Sequence, residues 1–294
     1  MVSVIIINYN TYAITCDCIR TVRAMTKGVD YEIILVDNAS TADNPDDFLL
    51  QFPDITLIKN PTNGGFAQGN NLGIHHAKGD TILLLNSDTV LQVDCISEAA
   101  HFLKDGPGDI SVLTIHLTYS DGKYQHNARA FRSVRNELLD LARPLLMLIP
   151  YRRRAQLMLN QYFKGDFNTY CDWVSGAFFM FKKELLDELP ENKLDERYFM
   201  YGEDQLWCYQ LSKPGYRCYF LADTGMIHIA NASTEPAKQL KLLKTIISRE
   251  LDIMRYRKGT SLYYYIFALI FVTKERARYY IKVAAQKLFN YRIR

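Results

Sequence analysis

The stretch Val4-Ile5-Ile6-Ile7-Asn8-Tyr9-Asn10 decides how this chain folds. Four consecutive β-branched residues form a short apolar run that ends in two asparagines and a tyrosine. Such a run is typical of a strand buried on both faces, as in a parallel sheet. Similar runs follow at residues 32–36, 56–58 and 81–85, with helical stretches between them. The pattern predicts βαβ units and an α/β chain.

Composition and charge limit the classes of function. The chain has 294 residues, 48% of them hydrophobic, which is enough to bury a sizeable core. A net charge of +3 argues against a general nucleic-acid binder, although residues 273–294 carry seven basic side chains against one acidic side chain. Six cysteines without CxxC or zinc-ribbon spacing predict free thiols and a cytoplasmic location. Without a basic leader or a cleavage site, the first residues are interpreted as a buried strand rather than a signal peptide.

Polar residues follow each apolar run. They are Asn8-Tyr9-Asn10, Asp37-Asn38, residues 60–65 and Asn86-Ser87-Asp88. In open α/β sheets, ligands bind beyond the carboxyl ends of the strands. These residues are therefore the first candidates for a binding site.

Two of these groups suit a nucleoside diphosphate. Asn86-Ser87-Asp88 offers oxygen ligands to Mg²⁺ or Mn²⁺, which would neutralise a leaving diphosphate, and an ordinary turn or helix cap is the alternative. Asp37 is a candidate acceptor for the N–H of a uracil or thymine ring, with a simple Asx turn as the alternative.

Two later segments suggest acid–base and metal chemistry. Glu203-Asp204 is the best candidate for a general base, which would take the proton of an acceptor hydroxyl. Neighbours on a helix point apart, so we expect Asp204 to act and Glu203 to be held by a structural partner. His228 follows a short strand-like run and either completes the metal site or contacts the diphosphate, against a purely structural role.

Taken in order, these segments resemble the family 2 glycosyltransferases of GT-A fold, most closely their rhamnosyltransferase-like branch. The resemblance runs from Val2 to about Ser233. It rests on residues 4–10, 36–40, 63–73, 85–88, 173–177 and 194–204, and on His228. It implies a Rossmann-like mixed central sheet flanked by helices, with a C-terminal helical extension.

The resemblance also implies roles for single residues. Asp88 is similar to the metal-binding end of the family's DxD-like motif, with His228 as a late metal or nucleotide contact. Asp204 looks like the catalytic base, with Glu203 beside it, in a direct displacement that inverts the anomeric carbon. The nucleotide-binding positions would be Asn8, Tyr9, Asn10, Asp37, Asn38, Gly65, Asn86 and Ser87, and the acceptor-binding positions Trp173 and Gly176.

Two positions depart from the family's pattern. Asn86 stands where many relatives have an aspartate, so metal affinity would rest on Asp88 and the diphosphate. Leu206 stands where many relatives carry a further acidic residue two places after the base, which leaves the acceptor contacts open.

The domain organisation follows from these motifs. Residues 1–235 are predicted to form the catalytic domain, and residues 236–294 a helical, basic and aromatic extension. Within the first, residues 121–170 are interpreted as an insertion over the site, with a solvated helical hairpin as the alternative. The apolar run 262–272 is too short to span a bilayer, so it either lies on a membrane surface or packs as a helix buried against the main domain.

The sequence therefore predicts an inverting, metal-dependent glycosyltransferase. Its donor would be a dTDP- or UDP-linked sugar, with rhamnose as the first choice, and its acceptor a glycan or lipid-linked glycan in cell-surface polysaccharide synthesis. This places it in the cytoplasm or on the inner face of the membrane, without a nucleic-acid partner. The alternatives are a nucleotidyltransferase, disfavoured because no glycine-rich basic loop follows the first strand, and a non-catalytic sugar-nucleotide or glycan-binding protein.

Overall fold

Strands and helices alternate along the first part of the chain, as the apolar runs predict. The structure, a computed structural model, describes residues 1–212, 215–229 and 236–289. Its strands are β1 (Val2–Asn8), β2 (Tyr31–Asp37), β3 (Thr56–Lys59), β4 (Thr81–Asn86), β5 (Thr89–Leu91), β6 (Ile110–Thr118), β7 (Ala128–Arg129), β8 (Thr169–Cys171), β9 (Trp173–Val174), β10 (Phe178–Lys182) and β11 (Arg217–His228). Its α-helices are α1 (Tyr12–Met25), α2 (Asp47–Gln51), α3 (Gly65–His76), α4 (Cys95–Asp105), α5 (Val134–Leu141), α6 (Arg143–Leu146), α7 (Tyr151–Leu157), α8 (Leu159–Tyr162), α9 (Glu203–Ser212), α10 (Pro236–Lys258) and α11 (Leu262–Phe289).

A mixed sheet forms the centre of the fold. Its strand order is β3-β2-β1-β4-β10-β6-β11-β5, and β8 pairs with β11 beside this path. The pairs β1–β2, β1–β4, β2–β3 and β6–β11 are parallel, whereas β10 is antiparallel to both β4 and β6. The α/β class and the mixed central sheet predicted from the sequence are confirmed.

Strand β1 is buried because it has a neighbour on each side and helices on both faces. Its Val4, Ile5 and Ile6 are fully buried, and Val4 and Ile6 belong to the same core cluster as Ile19 of α1 and Leu83 of β4. Fully burying one such side chain contributes about 1.5–3 kcal/mol. This explains why the run carries no polar residue on either face.

The sequence favours one strand at residues 172–181 and a helix at residues 182–189, but the first stretch forms two strands, β9 and β10. It breaks at residues 175–177, and only its second half, β10, enters the central sheet. The stretch that follows is helical as predicted, but it takes the tighter 3-10 form at Lys183–Glu188 and Pro190–Asn192. Helix α9 begins at Glu203, so the prediction of a helix with acidic residues in its first turn is confirmed.

The chain divides into two compact units. One contains Met1–Ala130 and Ala155–Ala232, and the other contains Phe131–Arg154 and Ser233–Arg294. Residues 131–154, part of the segment interpreted as an insertion, thus group with the C-terminal helices. In the larger unit, five of the six cysteines are fully or almost fully buried, Cys171 is buried as well, and all six are free thiols.

The smaller unit has an aromatic core of its own. Phe267 and Phe271 of α11 pack with Met254 and Tyr264, so one face of the apolar run 262–272 is buried. These neighbours belong to the smaller unit itself, and other residues of the same run, such as Leu262 and Leu269, are exposed. Among the described helices, none combines the length and the apolar composition that crossing a bilayer requires. The last basic residues of the tail, Arg292 and Arg294, lie outside the described residues.

A buried ion cluster joins α5 to α11 in this unit. The Lys274 ammonium group donates to Glu137 and, at 2.5 Å, to Asp140, and all three side chains are nearly inaccessible to water. Burial alone would raise the pKa of Asp140, but the bonds from Lys274 and Arg143 outweigh it and lower that pKa to about 2. Because both carboxylates depend on one ammonium group, removing that group leaves buried charges without their main partner.

We expect Lys274→Met to lower the free energy of unfolding by about 3–5 kcal/mol at neutral pH. The contribution of Asp140 is present above its unfolded pKa of ~3.9 and is lost as the pH falls towards the folded value. Wild-type stability should therefore fall more steeply at acid pH than that of the variant. Chemical unfolding followed by circular dichroism checks both effects. Arg276→Met, at an exposed position on the same helix, is the control, and equal stability of the two variants would contradict the role of Lys274.

Candidate functional site

The carboxyl ends of three adjacent strands bring predicted site residues together. Strand β1 pairs with β2 so that Asn8 stands opposite Asp37, and with β4 so that Ile7 stands opposite Asn86. Neighbouring strands lie about 4.8 Å apart. The three strand ends therefore form one short row of polar groups at a single edge of the sheet.

Asp37 fixes the loop that follows β2. Its Oδ1 accepts from Asn8 Nδ2 at 2.7 Å, and its Oδ2 accepts from the backbone N–H of Ser40 at 3.0 Å. Asp37 is 2% exposed and Asn8 is fully buried. Both carboxylate oxygens thus have a partner within the protein, and each keeps a second lone pair.

Asn10 connects this loop to the end of β1. Its side-chain oxygen accepts from the backbone N–H groups of Thr41 and Ala42, and its own N–H donates to Ser40 Oγ. Asn10 has a positive φ of 55°, which an asparagine tolerates better than most residues. Tyr9 is 48% exposed, so it offers a free ring face beside this ordered loop.

Asn38 connects the end of β2 to the start of α3. Its amide nitrogen donates to Asn63 Oδ1 at 3.0 Å and to the Gly65 carbonyl at 3.1 Å, and its oxygen accepts from Asn60 Nδ2. These bonds hold the asparagine- and glycine-rich turn against the strand.

Gly65 is required by the protein's own backbone. Its φ is +91°, and an added Cβ would lie 2.3 Å from the carbonyl oxygen of Phe199. That same carbonyl accepts the N–H of Phe66 at 3.1 Å. The close approach at this glycine is made by the segment that precedes α9. Gly65 therefore positions the loop that leads to Asp204.

Asp88 and His228 meet although they are far apart in sequence. Strand β5 pairs antiparallel with β11 so that His228 stands opposite Thr89, next to Asp88. His228 Nε2 lies 3.1 Å from Asp88 Oδ1 and 3.2 Å from Asn86 Nδ2. The motif after β4 and the histidine at the end of β11 thus form one polar cluster.

Gln125 orients the His228 ring. Its Oε1 lies 2.5 Å from His228 Nδ1, and an amide oxygen can only accept, so Nδ1 donates to it. In the neutral ring this leaves the lone pair on Nε2, facing Asp88 and the Asn86 amide. Two acceptors, Nε2 and the Asp88 carboxylate, are favourable neighbours only when a proton or a cation lies between them.

Asp88 and His228 are two side chains of the kinds that coordinate divalent cations. Within the described residues there is no group of three or more His, Cys, Asp or Glu side chains that could hold a metal ion. Asp88 and His228 supply one carboxylate and one imidazole, and small hard cations take one or two carboxylates and complete their shell with substrate phosphates and water. The donor set therefore fits a divalent cation that binds together with a diphosphate.

Asp204 is the carboxylate on the other side of the site. It lies in the first turn of α9, where its Oδ2 accepts from the Gly176 N–H at 3.2 Å and its Oδ1 from the Gln205 N–H at 2.8 Å. Burial raises the pKa of Asp204, and these two bonds and the nearby charge of Arg129 offset the shift only in part. The adjacent Glu203 is 7% exposed. Asp204 thus has the raised proton affinity that suits a general base.

A cavity of about 480 Å³ unites these groups within the larger unit. Its lining is Phe66, Asn86, Tyr119, Gln125, His126, Arg129, Ser175, Gly176, Ala177, Met200, Tyr201, Glu203, Asp204 and His228. A more voluminous open cavity, about 910 Å³, is lined by residues such as Val2 and Thr81 at the opposite ends of β1 and β4. The lining of that cavity contains none of the predicted site residues.

Other predicted site residues lie around this cavity without lining it. Asp88 contacts His228, which lines the cavity. Asp37 lies on β2, two strands away from Asn86 on β4. Trp173 lies under the Arg129 guanidinium group, whose carbon is 5.3 Å from a ring centre. Ser87, between Asn86 and Asp88, is half-buried.

Nine of the lining residues are not among the predicted site residues, and four of these nine have contacts or a backbone conformation that bear on the site. Gln125 orients His228, Arg129 lies near Asp204, Phe66 stacks on Trp207 of α9 at 6.0 Å, and Tyr201 has a positive φ of 67°. Phe66 and Tyr201 stand inside motifs that the sequence does mark, so they could have been chosen there. Gln125 lies in a stretch without periodicity, where no local signal points to a site.

Comparison with known proteins identifies a family that matches this chain. The sequence model of the family described as Glycosyl transferase family 2 matches residues 3–189. Glycosyltransferase GlyG of Streptococcus pneumoniae is 30% identical over 129 residues, which cover 42% of each chain. Rhamnosyltransferase WbbL of Escherichia coli is 22% identical over 174 residues, 57% of this chain and 61% of that protein. The matches thus span about half the length of these relatives.

Solved structures share the architecture. The mannosyltransferase PcManGT from Pyrobaculum calidifontis, solved with GDP-Man and Mn²⁺, superposes with a TM-score of 0.61 at 15% identity. The superposition covers 97% of this chain and 75% of that one. At this identity the likeness concerns the fold alone, and it confirms the predicted GT-A fold.

We expect Gly65→Ala to destabilise the protein by about 2–3 kcal/mol, because alanine disfavours the positive φ and its Cβ would displace the Phe199 carbonyl. The displaced loop carries Asp204, so activity should fall further than stability alone explains. Thermal unfolding and a turnover assay at a temperature where the variant stays folded check the two effects. Gly108→Ala, at an exposed glycine with open space around it, should change neither, and a neutral result for Gly65→Ala would refute the positioning role.

Proposed function

The chain belongs to glycosyl transferase family 2, and on that premise we propose that it moves a sugar from a nucleoside-diphosphate donor to an acceptor hydroxyl with inversion at the anomeric carbon. One observation supports this more than any other. His228, in contact with Asp88, and Asp204 face the same 480 Å³ cavity from strands and a helix that are distant in sequence. A cation site and a base on one cavity are what displacement of a nucleoside diphosphate requires.

Asp88 and His228 would hold the divalent cation, Mg²⁺ or Mn²⁺. When bound, the cation neutralises the negative charge that gathers on the leaving diphosphate. Gln125 keeps the imidazole lone pair on Nε2, and the Asn86 amide donates to that nitrogen. The asparagine at position 86 leaves Asp88 as the one carboxylate of the motif, so the diphosphate has to supply further oxygen ligands.

Asp204 would act as the base. As the acceptor oxygen bonds to the anomeric carbon and the bond to the diphosphate breaks, the hydroxyl proton passes to the Asp204 carboxylate. The bonds from Gly176 and Gln205 hold that carboxylate in place. Leu206, the departure from the family's pattern, is fully buried, so that position faces the core rather than the acceptor. Glu203 then has a supporting role.

The loops after β1 and β2 would bind the nucleotide. Asp37 acts mainly by fixing Asn8 and Ser40, and its remaining lone pairs are the candidates for a pyrimidine N–H. Tyr9 is exposed enough to contact the base. Hydrogen bonds from the Asn10 and Asn38 side chains hold the two loops in place. Gly65 and Ser87 complete this wall by positioning backbone rather than by offering side chains of their own.

For the donor we keep a dTDP-linked rhamnose as the first candidate and UDP-linked hexoses as the second. The acceptor would be a glycan or lipid-linked glycan, contacted near Gly176 and near the stacked pair of Arg129 and Trp173. Such an acceptor belongs to cell-surface polysaccharide synthesis, with the enzyme in the cytoplasm or at the inner membrane face. Peripheral membrane contact through residues 236–294 is part of the same proposal.

The two alternatives give different products. A nucleotidyltransferase would release pyrophosphate, and a non-catalytic sugar-nucleotide or glycan-binding protein would release nothing. Release of nucleoside diphosphate, together with transfer of the sugar, distinguishes the proposed reaction from both. Asp88, His228 and Asp204 lie around one cavity, which favours an active enzyme over a binding protein that has lost its catalytic residues.

We expect Asp204→Asn to lower turnover about 10²–10⁴-fold while donor binding is retained, because the amide cannot accept the hydroxyl proton. Because burial raises the pKa of Asp204, wild-type turnover should rise with pH through that raised value as the carboxylate forms. The acidic limb should disappear in the variant. Nucleoside diphosphate release across a pH series measures both.

The control is Asp187→Asn, which makes the same chemical change at an exposed position outside the site cavity. It should keep wild-type turnover and pH dependence. If Asp204→Asn retained full turnover, the base would have to be another residue.

We expect Mn²⁺ to tighten donor binding by about tenfold or more, and Asp88→Asn to abolish that gain while metal-free binding stays unchanged. The measurement is calorimetry with a panel of nucleotide sugars, with and without Mn²⁺, which also identifies the donor. Asp105→Asn, at an exposed acid outside the site, should behave as wild type. A Mn²⁺ effect that survives in Asp88→Asn would place the cation elsewhere.

A further inference from the structure

Helices α5 and α6 carry an exposed row of leucines. Leu138, Leu141, Leu145 and Leu148, here called the leucine stripe, are 52%, 59%, 68% and 83% exposed. Their spacing of three, four and three residues puts them on one face of a helix. The helical path continues between and beyond the two helices, because the N–H of Leu146 bonds to the Ala142 carbonyl and that of Leu148 to the Leu145 carbonyl.

The opposite face of the same segment is charged and buried. Glu137 is 1% exposed and Asp140 is 3% exposed, and both bond to Lys274 of α11. Arg132 adds a bond to Glu137 at 3.0 Å. A surface helix normally turns its apolar face inwards and its charges outwards. This segment does the reverse, at the cost of desolvating two carboxylates.

This reversed arrangement of apolar and charged faces indicates that the leucine stripe binds another surface. Contiguous exposed apolar patches mark surfaces that bind proteins or membranes. Met147, at 60% exposure, extends the patch beside the stripe. On α11, which belongs to the same unit, Leu262, Tyr265 and Leu269 form a second exposed apolar row.

We propose that the leucine stripe docks on an anionic phospholipid surface. The charges of the segment select this partner: residues 131–154 contain six arginines and two acidic residues. Both acids point inwards, while Arg135, Arg152 and Arg153 are exposed beside the leucines. Exposed leucines flanked by arginines match acyl chains beneath acidic headgroups. A second copy of this chain fits less well, because self-pairing would bring the same arginines together.

This proposal differs from a contact through the basic tail, since it places the membrane contact at residues 138–148. It does not rest on glycosyl transfer, and it is tested by binding alone. Cutting the chain after Ser261 would be an ambiguous test, because it removes Phe267, Phe271 and Lys274 from the core of the smaller unit. Substitutions at exposed positions of the full chain avoid this difficulty.

The experiment is flotation of the full chain with vesicles of phosphatidylcholine, with and without phosphatidylglycerol. Wild type should bind the anionic vesicles. Leu145→Gln/Leu148→Gln should lower the vesicle partition coefficient about tenfold or more, since each leucine loses most of its transfer into the acyl region. The matched control, Leu49→Gln/Leu50→Gln, changes two exposed leucines of the larger unit and should bind as wild type does.

The charge contribution is tested separately. Arg135→Gln/Arg153→Gln should lower binding about tenfold at low salt and much less at high salt, because headgroup attraction is screened. Lys78→Gln/Lys104→Gln removes the same charge from exposed positions in the larger unit and should have little effect.

Several outcomes would overturn the proposal. They are absence of wild-type binding to anionic vesicles, equal binding by the leucine variant, and a wild-type dimer that the leucine variant converts to a monomer in light scattering. Turnover on a water-soluble acceptor should be the same for wild type and the leucine variant. A failure of glycosyl transfer would therefore leave the vesicle result intact, and a failure of vesicle binding would leave the proposed reaction intact.

Discussion

The parallel pairing of β1 with both β2 and β4 is the constraint on which the rest of the larger unit depends. Because Val4, Ile5 and Ile6 are buried between two strands and two helical layers, a slip of one residue would move each side chain into the opposite buried layer, against neighbours it does not fit. The same register fixes where the strands end. It therefore sets Asn8, Asp37 and Asn86 in one row before any ligand is present.

The candidate site is completed by contacts that are distant in sequence. His228 reaches Asp88 only because β11 returns antiparallel to β5. Asp204 reaches the cavity because Gly65 lets the Phe199 carbonyl approach the start of α3, just before α9 begins. Two carboxylates thus have opposite surroundings: one faces an imidazole, and the other is buried with a raised pKa.

The smaller unit follows a different principle. Its stability depends on a buried cluster around Lys274 in addition to the aromatic packing of Phe267 and Phe271. A charged group buried on one face of α5 leaves the opposite face to the leucines. Helix α11, rather than water, therefore determines which face of this segment carries the charges. The leucines on the other face are exposed and can contact another surface.

The sequence by itself determined the parallel half of the sheet and marked the residues that we propose carry the chemistry. Continuous β-branched runs can only be strands covered on both faces, and the polar residues that follow them must lie at the strand ends. Tertiary structure decided the rest. No local pattern shows that β10 lies antiparallel between β4 and β6, that Gln125 orients His228, or that Glu137 and Asp140 face inwards. These features depend on pairings between distant segments, whose energies the local sequence does not encode.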